Sequence, residues 1–381
     1  MDREVIVVGA GPSGSAAAAA LAQKGRDVLL IDRGAFPRDK TCGDGIPASA
    51  IEELYELGMK EKILQADFYP IKELLLSSPN GHVLQAPIRE GKRGGTSYVI
   101  PRMKFDVMVQ EHAVESGAEF LQAQVSKALI EDGRVTGVKI KKNGSVQEIS
   151  SKVVVGADGV TSAIARSIRP DKAQDKHRAV ALRTYIEDIE EYPNVVEFYL
   201  YKEILPGYAW IFPMGEGRAN LGLGMRLDKF RDDKKSLEEL LDIFLQLPAI
   251  KNRLRQGGVM RDTAVWQLNF GSQDMKRGYD GAVLIGDAAG LINPSTGGGI
   301  SNGLQSAFIA VDVIEKSLKN GDTSAQAFKE YELRLDERLR SGMRRSYFIQ
   351  RSLMFFPRWV DFLVRWGGSN SSVAKTFIEK L

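Results

Sequence analysis

Apolar residues recur along this chain in three distinct patterns. Residues 4–8 (EVIVV) and 27–32 (DVLLID) are short, almost continuous apolar runs, and between them 12–24 (PSGSAAAAALAQK) is an alanine-rich stretch of helical length closed by Gly25. Strand, turn, helix, strand is a βαβ unit, and its continuous runs predict a parallel sheet covered on both faces. Residues 48–57 and 103–116 read as further helices. Over 72–100 and 178–226 the runs shorten and alternate, with Pro79-Asn80-Gly81 as a turn signal, which predicts antiparallel hairpins. Strands are expected near 119–130, 134–141 and 152–156, joined by tight turns at Asp132-Gly133 and Asn143-Gly144. A charged helix is expected at 233–246, a strand at 281–286 running into a helix to about 319, and mostly helix over 323–381.

Many of the 38 glycines fall in clusters at 9–14 and 286–303, with a looser set at 215–224. Gly9-Ala10-Gly11-Pro12-Ser13-Gly14 is a G-x-G-x-x-G placed between a predicted strand and a predicted helix. There Gly9 permits the tight turn, Gly11 lets a pyrophosphate reach the backbone, and Gly14 lets helix and strand pack closely. The helix start offers free N–H groups to phosphate. Asp32, eighteen positions after Gly14, ends the second strand where a carboxylate can accept from ribose hydroxyls. This pattern points to a dinucleotide with an unphosphorylated adenosine ribose, FAD or NAD.

Two further segments favour FAD. Val153 to Gly159 (VVVGADG) is a strand ending in a small-residue turn, followed by Ser162 and a helix. Leu284 to Gly290 (LIGDAAG) is a strand ending in an acid, and it continues through Asn293-Pro294-Ser295-Thr296-Gly297-Gly298-Gly299-Ile300 into an apolar helix. A flavin needs an acceptor for its ribityl hydroxyls, which Asp287 can supply. It also needs N–H donors at its pyrimidine edge, where reduced flavin is negative; the Gly297–Gly299 turn suits that. Asp158 and Asp287 could alternatively cap the helices behind them, and Arg102 could be a surface ion pair.

The combination GAGPSG, VGADG and GDAAGLINPSTGGGI resembles the flavoproteins with the p-hydroxybenzoate hydroxylase fold. Lys40-Thr41-Cys42-Gly43-Asp44-Gly45 and Tyr208-Ala209-Trp210-Ile211-Phe212-Pro213, with Gly222-Leu223-Gly224 after it, resemble the geranylgeranyl reductase group. The resemblance implies an α/β fold: a Rossmann-type FAD-binding domain from 1–70, 100–170 and 272–320, an inserted antiparallel β-sheet substrate domain from 71–99 and 171–271, and a helical region at 321–381. It places FAD against Gly9, Gly11, Pro12, Ser13, Gly14, Asp32, Arg33, Cys42, Gly43, Asp44, Gly45, Arg102, Val125, Asp158, Gly159, Gly286, Asp287, Gly297, Gly298, Gly299 and Ile300. It puts Cys42, Tyr208 and Trp210 at the catalytic centre, where hydride passes from N5 of reduced flavin to an alkene of a prenyl lipid. The implied electron donor is NADPH or a ferredoxin-like protein.

Residue by residue, blander readings stay open. Tyr208, Trp210 and Phe212 share one strand face, as core or as pocket wall. Cys42 is a packing residue or a substrate-positioning one. Residues 347–366 (YFIQRSLMFFPRWVDFLVRW) mix aromatics with Arg351, Arg358 and Arg365, and could lie in a bilayer interface, cover a lipophilic cavity or dock on the body of the protein. A flavin monooxygenase or halogenase, a quinone-linked dehydrogenase and a non-catalytic FAD-binding scaffold are the rival functions.

Composition narrows the rest. Hydrophobic residues are 43% and charged residues 27%, ordinary for a globular chain. A net charge of +3 gives no argument for nucleic acid. One cysteine and three histidines cannot build a convincing metal site or an iron–sulfur cluster, and no glycine loop ends in Gly-Lys-Ser/Thr. His82, His112 and His177 sit in no motif. The start lacks a signal-peptide pattern, and no apolar run reaches about 18 residues. The expectation is a cytoplasmic protein with peripheral membrane contact left open.

Overall fold

The computed structural model describes residues 2–355 and 357–368. The first sheet grows from the predicted βαβ unit. Strands Arg3–Val8, Val28–Asp32, Glu119–Gln122, Ser145–Gly156 and Ala282–Leu284 pair in parallel, and Gly278–Tyr279 adds an antiparallel edge. Val5, Ile6, Val7, Leu30, Ile31 and Val153–Val155 are fully buried, because the sheet is covered on both faces. Helix Pro12–Gln23 packs against the sheet and against helices Arg102–Glu115 and Ile300–Asn320. Enclosed all round, it carries Ala16–Ala20, whose small side chains allow close approach on every side.

The second sheet has seven strands in the order Leu254–Asn269, Arg178–Ile189, Arg218–Arg226, Tyr208–Gly215, Val195–Tyr199, Glu73–Ser77, Val83–Pro87. All neighbours are antiparallel except Val195–Tyr199 with Glu73–Ser77. Both β-rich stretches of the sequence therefore enter one sheet. A three-stranded sheet of Tyr69–Ile71, Ser97–Val99 and Gly45–Ile46 lies beside it.

Several elements differ from the sequence expectation. The strand expected over 119–130 is two: after Gln122 the chain leaves the sheet at Ala123, whose N–H donates to the Asp32 carbonyl, and re-forms as Gln124–Glu131. Ser145–Gly156 is longer than expected, because its first half pairs with Arg134–Lys142 before its second half joins the parallel sheet. The charged helix expected at 233–246 begins later, as Leu237–Gln246 started by a capping box between Ser236 and Glu239, and a short helix Leu227–Asp232 that the pattern does not announce precedes it. Strand Leu254–Asn269 carries no alternation that announces it; Gly258 at φ +67° interrupts the pattern. Past residue 320 the described chain is helical at Lys329–Leu335, Ser341–Phe355 and Pro357–Gly368, while residues 356 and 369–381 lie outside the described residues.

Candidate functional site

Between the two large sheets lies a cavity of about 900 Å³. Every residue expected at the cofactor or the catalytic centre lines it except Gly14 and Asp44. Those two sit one layer behind. A Cβ on Gly14 would come within 1.8 Å of the Gly9 carbonyl oxygen, so this glycine serves the contact of helix with turn. Asp44 is fully buried under the cavity floor.

The first glycine turn combines a closed side and an open side. Gly9 has φ +101°, and a Cβ there would meet the Ala157 carbonyl at 2.4 Å, because the ends of two strands meet at that point. A Cβ on Gly11 would meet nothing within 4 Å, so bare backbone faces the cavity. Helix Pro12–Gln23 starts there with no side-chain cap, and helix Ile300–Asn320 starts likewise at Gly299. Two helix N-termini thus direct partial positive charge into one cavity.

The acids divide by role. Asp32 accepts from the N–H of Ala10 and Gly34, each at 2.8 Å, which fixes its carboxylate at the cavity edge. Asp158 accepts from Ala163 N–H at 2.6 Å, Ile164 N–H at 3.3 Å and the Ser162 hydroxyl, so it caps helix Ala163–Ile168 while lining the cavity. Burial raises the Asp158 pKa, and these bonds counter it. Asp287 is pushed upward by burial and pulled back by Lys40 and Arg102. Arg102 is no surface pair: it is buried and forks onto Asp106 at 2.5 and 2.8 Å beside Cys42. Lys40 holds its ammonium 4.0 Å from the Trp266 ring centre, and burial, helped by Arg102, lowers its pKa to about 8.

The two motifs that resemble the geranylgeranyl reductases pack face to face. Tyr208, Trp210 and Phe212 form an aromatic row on the cavity wall, with Phe198 against Tyr208 and Phe212. Cβ atoms on Gly43 and Gly45 would lie 3.2 and 3.0 Å from the Phe212 ring, so a side chain at either position would have to displace that ring. Between them Asp44 takes φ 63°. Asn220, fully buried, joins the layers: it accepts from Trp210 Nε1 at 2.9 Å and donates to the Cys42 carbonyl at 2.8 Å and to Asp44 Oδ2 at 2.9 Å. Tyr185 donates to the same Asp44 oxygen at 2.7 Å. Asp44 Oδ1 is buried without a partner, and burial lifts the carboxyl pKa to about 6. The Tyr208 hydroxyl donates to the Thr296 carbonyl, tying the aromatic strand to the second glycine turn.

Asn220, Tyr185, Trp266 and Arg183 were not singled out from sequence. Asn220 and Arg183 had a signal, since each is a polar residue inside an apolar strand; Arg183 is buried and pairs with Asp39. None of the histidines lines the cavity: His112 contacts the Leu57 carbonyl at 2.9 Å and His177 the Ser272 hydroxyl at 2.8 Å. Among the described residues no group of side chains could hold a metal ion.

An open backbone at Gly11, two uncapped helix starts and acids at positions 32 and 287 fit a molecule with a diphosphate, two polyol segments and an electron-rich ring edge. FAD has all of these.

Comparison with known proteins agrees. The FAD binding domain family matches residues 2–345. Digeranylgeranylglycerophospholipid reductase 2 of Methanopyrus kandleri is 34% identical over 366 residues, covering 93% of this chain and 87% of that protein. The Methanocaldococcus jannaschii digeranylgeranylglycerophospholipid reductase is 35% identical, covering 88% and 82%. A geranylgeranyl bacteriochlorophyll reductase-like protein of Thermoplasma acidophilum superposes with a TM-score of 0.85 at 27% identity, over 99% of this chain and 96% of that one. A flavin-dependent brominase, with a TM-score of 0.76 at 20% identity, shares the fold alone.

Proposed function

This chain belongs to the FAD-binding oxidoreductase family of the digeranylgeranylglycerophospholipid reductases, and we propose that it saturates carbon–carbon double bonds in the polyprenyl chains of a lipid. The observation that carries this reading is the composition of the cavity. Its first-sheet side is a glycine cradle. Its second-sheet side carries the aromatic row with the apolar Leu74, Ile88, Val196 and Phe198 beside it, and Arg183 and Arg226 also reach the lining.

FAD would be held by the Gly9–Gly14 turn and the start of helix Pro12–Gln23 at its diphosphate, and by Asp32, Arg33 and Val125 at its adenosine end. Asp287 would take the ribityl chain, and the Gly297–Gly299 turn with Ile300 the pyrimidine edge. Bound and reduced, the flavin supplies the hydride that the alkene accepts. The chain's own residues hold the alkene in place and keep water away. Tyr208 and Trp210 spend their polar hydrogens on Thr296 and Asn220, so their rings are fixed and serve as wall. Cys42 and Lys40, both lining the cavity, are the proposed source of the proton for the second carbon. NADPH or a ferredoxin-like protein as the electron source remains part of this proposal. A lipid substrate also implies peripheral contact with a membrane; no helix among the described residues is long and apolar enough to cross one.

The test is an anaerobic assay of the purified, chemically reduced flavoprotein with a panel of polyprenyl lipids, read by mass spectrometry. Products heavier by multiples of about two mass units, formed as the flavin reoxidises, support the reading. Reoxidation only by oxygen or a quinone ring, with no mass gain on any prenyl compound, overturns it.

A further inference from the structure

Helix Pro357–Gly368 presents two unlike faces. Val360 and Val364 are buried against Leu76, Leu84, Ala86 and Leu200 of the second sheet and its neighbouring loop. Asp361 accepts from the N–H of Asn80 at 3.0 Å and from its amide at 2.7 Å, which pins the helix to the hairpin turn. On the other face Trp359, Phe362 and Trp366, spaced three and four residues apart, are 63%, 58% and 49% exposed. Their rings touch in series, at 6.2 Å and 6.5 Å between centres. Phe348 on the preceding helix, Ser341–Phe355, is 71% exposed. A contiguous aromatic patch of this kind on a firmly anchored helix marks an interaction surface.

The charge around the patch selects the partner. Residues 341–368 contain five arginines, at 344, 345, 351, 358 and 365, all exposed, against one acid, Asp361, which is engaged by Asn80. Aromatic rings flanked by arginines match the headgroup level of a bilayer, where an indole or phenyl ring sits at the apolar boundary and arginine meets lipid phosphate.

We infer that the Trp359–Phe362–Trp366 face docks on an anionic lipid bilayer, in the interface plane. The same region reaches the cavity. Gln350, on the helix carrying Phe348, lines it and donates to the Pro294 carbonyl at 2.7 Å. Leu74, on a strand next to the one that helix Pro357–Gly368 covers, lines it as well. Docking thus sets the apolar side of the cavity close to the lipid, so that a prenyl chain can pass between them with little exposure to water. This use of the docked state rests on the lipid-reductase reading; the docking itself does not.

The holoenzyme is tested by flotation with vesicles of phosphatidylcholine alone and with phosphatidylglycerol in equal parts. Binding to the anionic vesicles only, weakened by salt, is expected. The variant Trp359→Ser/Phe362→Ser/Trp366→Ser loses flotation while keeping its flavin spectrum, since none of the three side chains lines the cavity. Removing arginines in Arg351→Ala/Arg358→Ala lowers partitioning roughly fivefold for each. Turnover is compared on a vesicle-borne prenyl lipid and on a soluble prenyl diphosphate: the serine variant loses the first and keeps the second. Flotation without turnover on any prenyl compound defeats the reductase reading and leaves the docking intact. No flotation of the parent protein, or equal flotation of the serine variant, defeats the docking. So does sedimentation of the parent as a dimer that the serine variant dissolves, which assigns the face to a second copy of the chain.

Discussion

Replacing Asp44 by asparagine isolates the cost of burying a carboxylate behind the cavity. The acid is fully buried, Oδ2 receives Tyr185 and Asn220, and Oδ1 has no partner. Burial lifts its pKa from an ordinary 3.8 to about 6. Between those two values the folded protein holds a proton that the unfolded chain has released, so stability falls as pH rises through this window. Above about 6 both states are ionised and the loss is complete, at about 3 kcal/mol. Asparagine can keep both accepted hydrogen bonds through its carbonyl and leaves an amide where Oδ1 was, a fixed cost of about 1–3 kcal/mol independent of pH. Asp44→Asn is therefore less stable than the parent near pH 4 and gains on it by about 3 kcal/mol by pH 7. At roughly 2 cal/mol/K of unfolding entropy per residue, the difference in melting midpoint moves by about 4 °C. Differential scanning fluorimetry of both proteins with saturating FAD, from about pH 4 to about pH 7, measures it. A midpoint difference that stays flat with pH would falsify the account of Asp44 as a carboxylate ionised against its surroundings.

Two glycines of one motif separate fold from function. Gly14→Ala drives a Cβ into the Gly9 carbonyl and should cost about 3 kcal/mol or more in urea unfolding. Gly11→Ala meets nothing in the protein, so the flavin-free form keeps its stability while FAD affinity drops at least roughly tenfold on fluorescence titration. Equal effects at both positions would contradict the geometry. Lys40, its ammonium disfavoured by burial and its pKa lowered to about 8, loses its proton as pH rises past 8. As proton donor in the proposed step it makes the anaerobic single-turnover rate of alkene reduction fall roughly tenfold per pH unit above 8, Lys40→Met lowers the rate and flattens that profile, and a parent profile already flat would rule Lys40 out as the donor.

The parts legible in the sequence were those where local chemistry and tertiary role coincide. Gly9, Gly11 and Asp32 are set by one βαβ unit, whose strand, turn and helix are contiguous, and the aromatic row is contiguous within one strand. What the sequence hid was pairing across distance. Asn220 lies far along the chain from Cys42 and Asp44, yet its side chain joins them, and nothing local marks that contact beyond a polar residue in an apolar strand. Asp158 shows the opposite case. Its position after a strand read as a cofactor contact or a helix cap, and its carboxylate caps the next helix while it lines the cavity. The long strand Leu254–Asn269 escaped because a glycine breaks its alternation, and pairing with Arg178–Ile189 supplies the order that its own pattern lacks.

The four tryptophans fall into two pairs. Trp210 and Trp266 line the cavity; Trp359 and Trp366 stand exposed on the terminal helix. Intrinsic emission from this chain should therefore divide into an inner signal and an outer one. A flavin in the cavity would quench the first by energy transfer, and a bilayer would shift the second to the blue without dimming it. Cofactor loading and surface attachment could then be followed in one cuvette, on the unmodified chain, as two independent optical events.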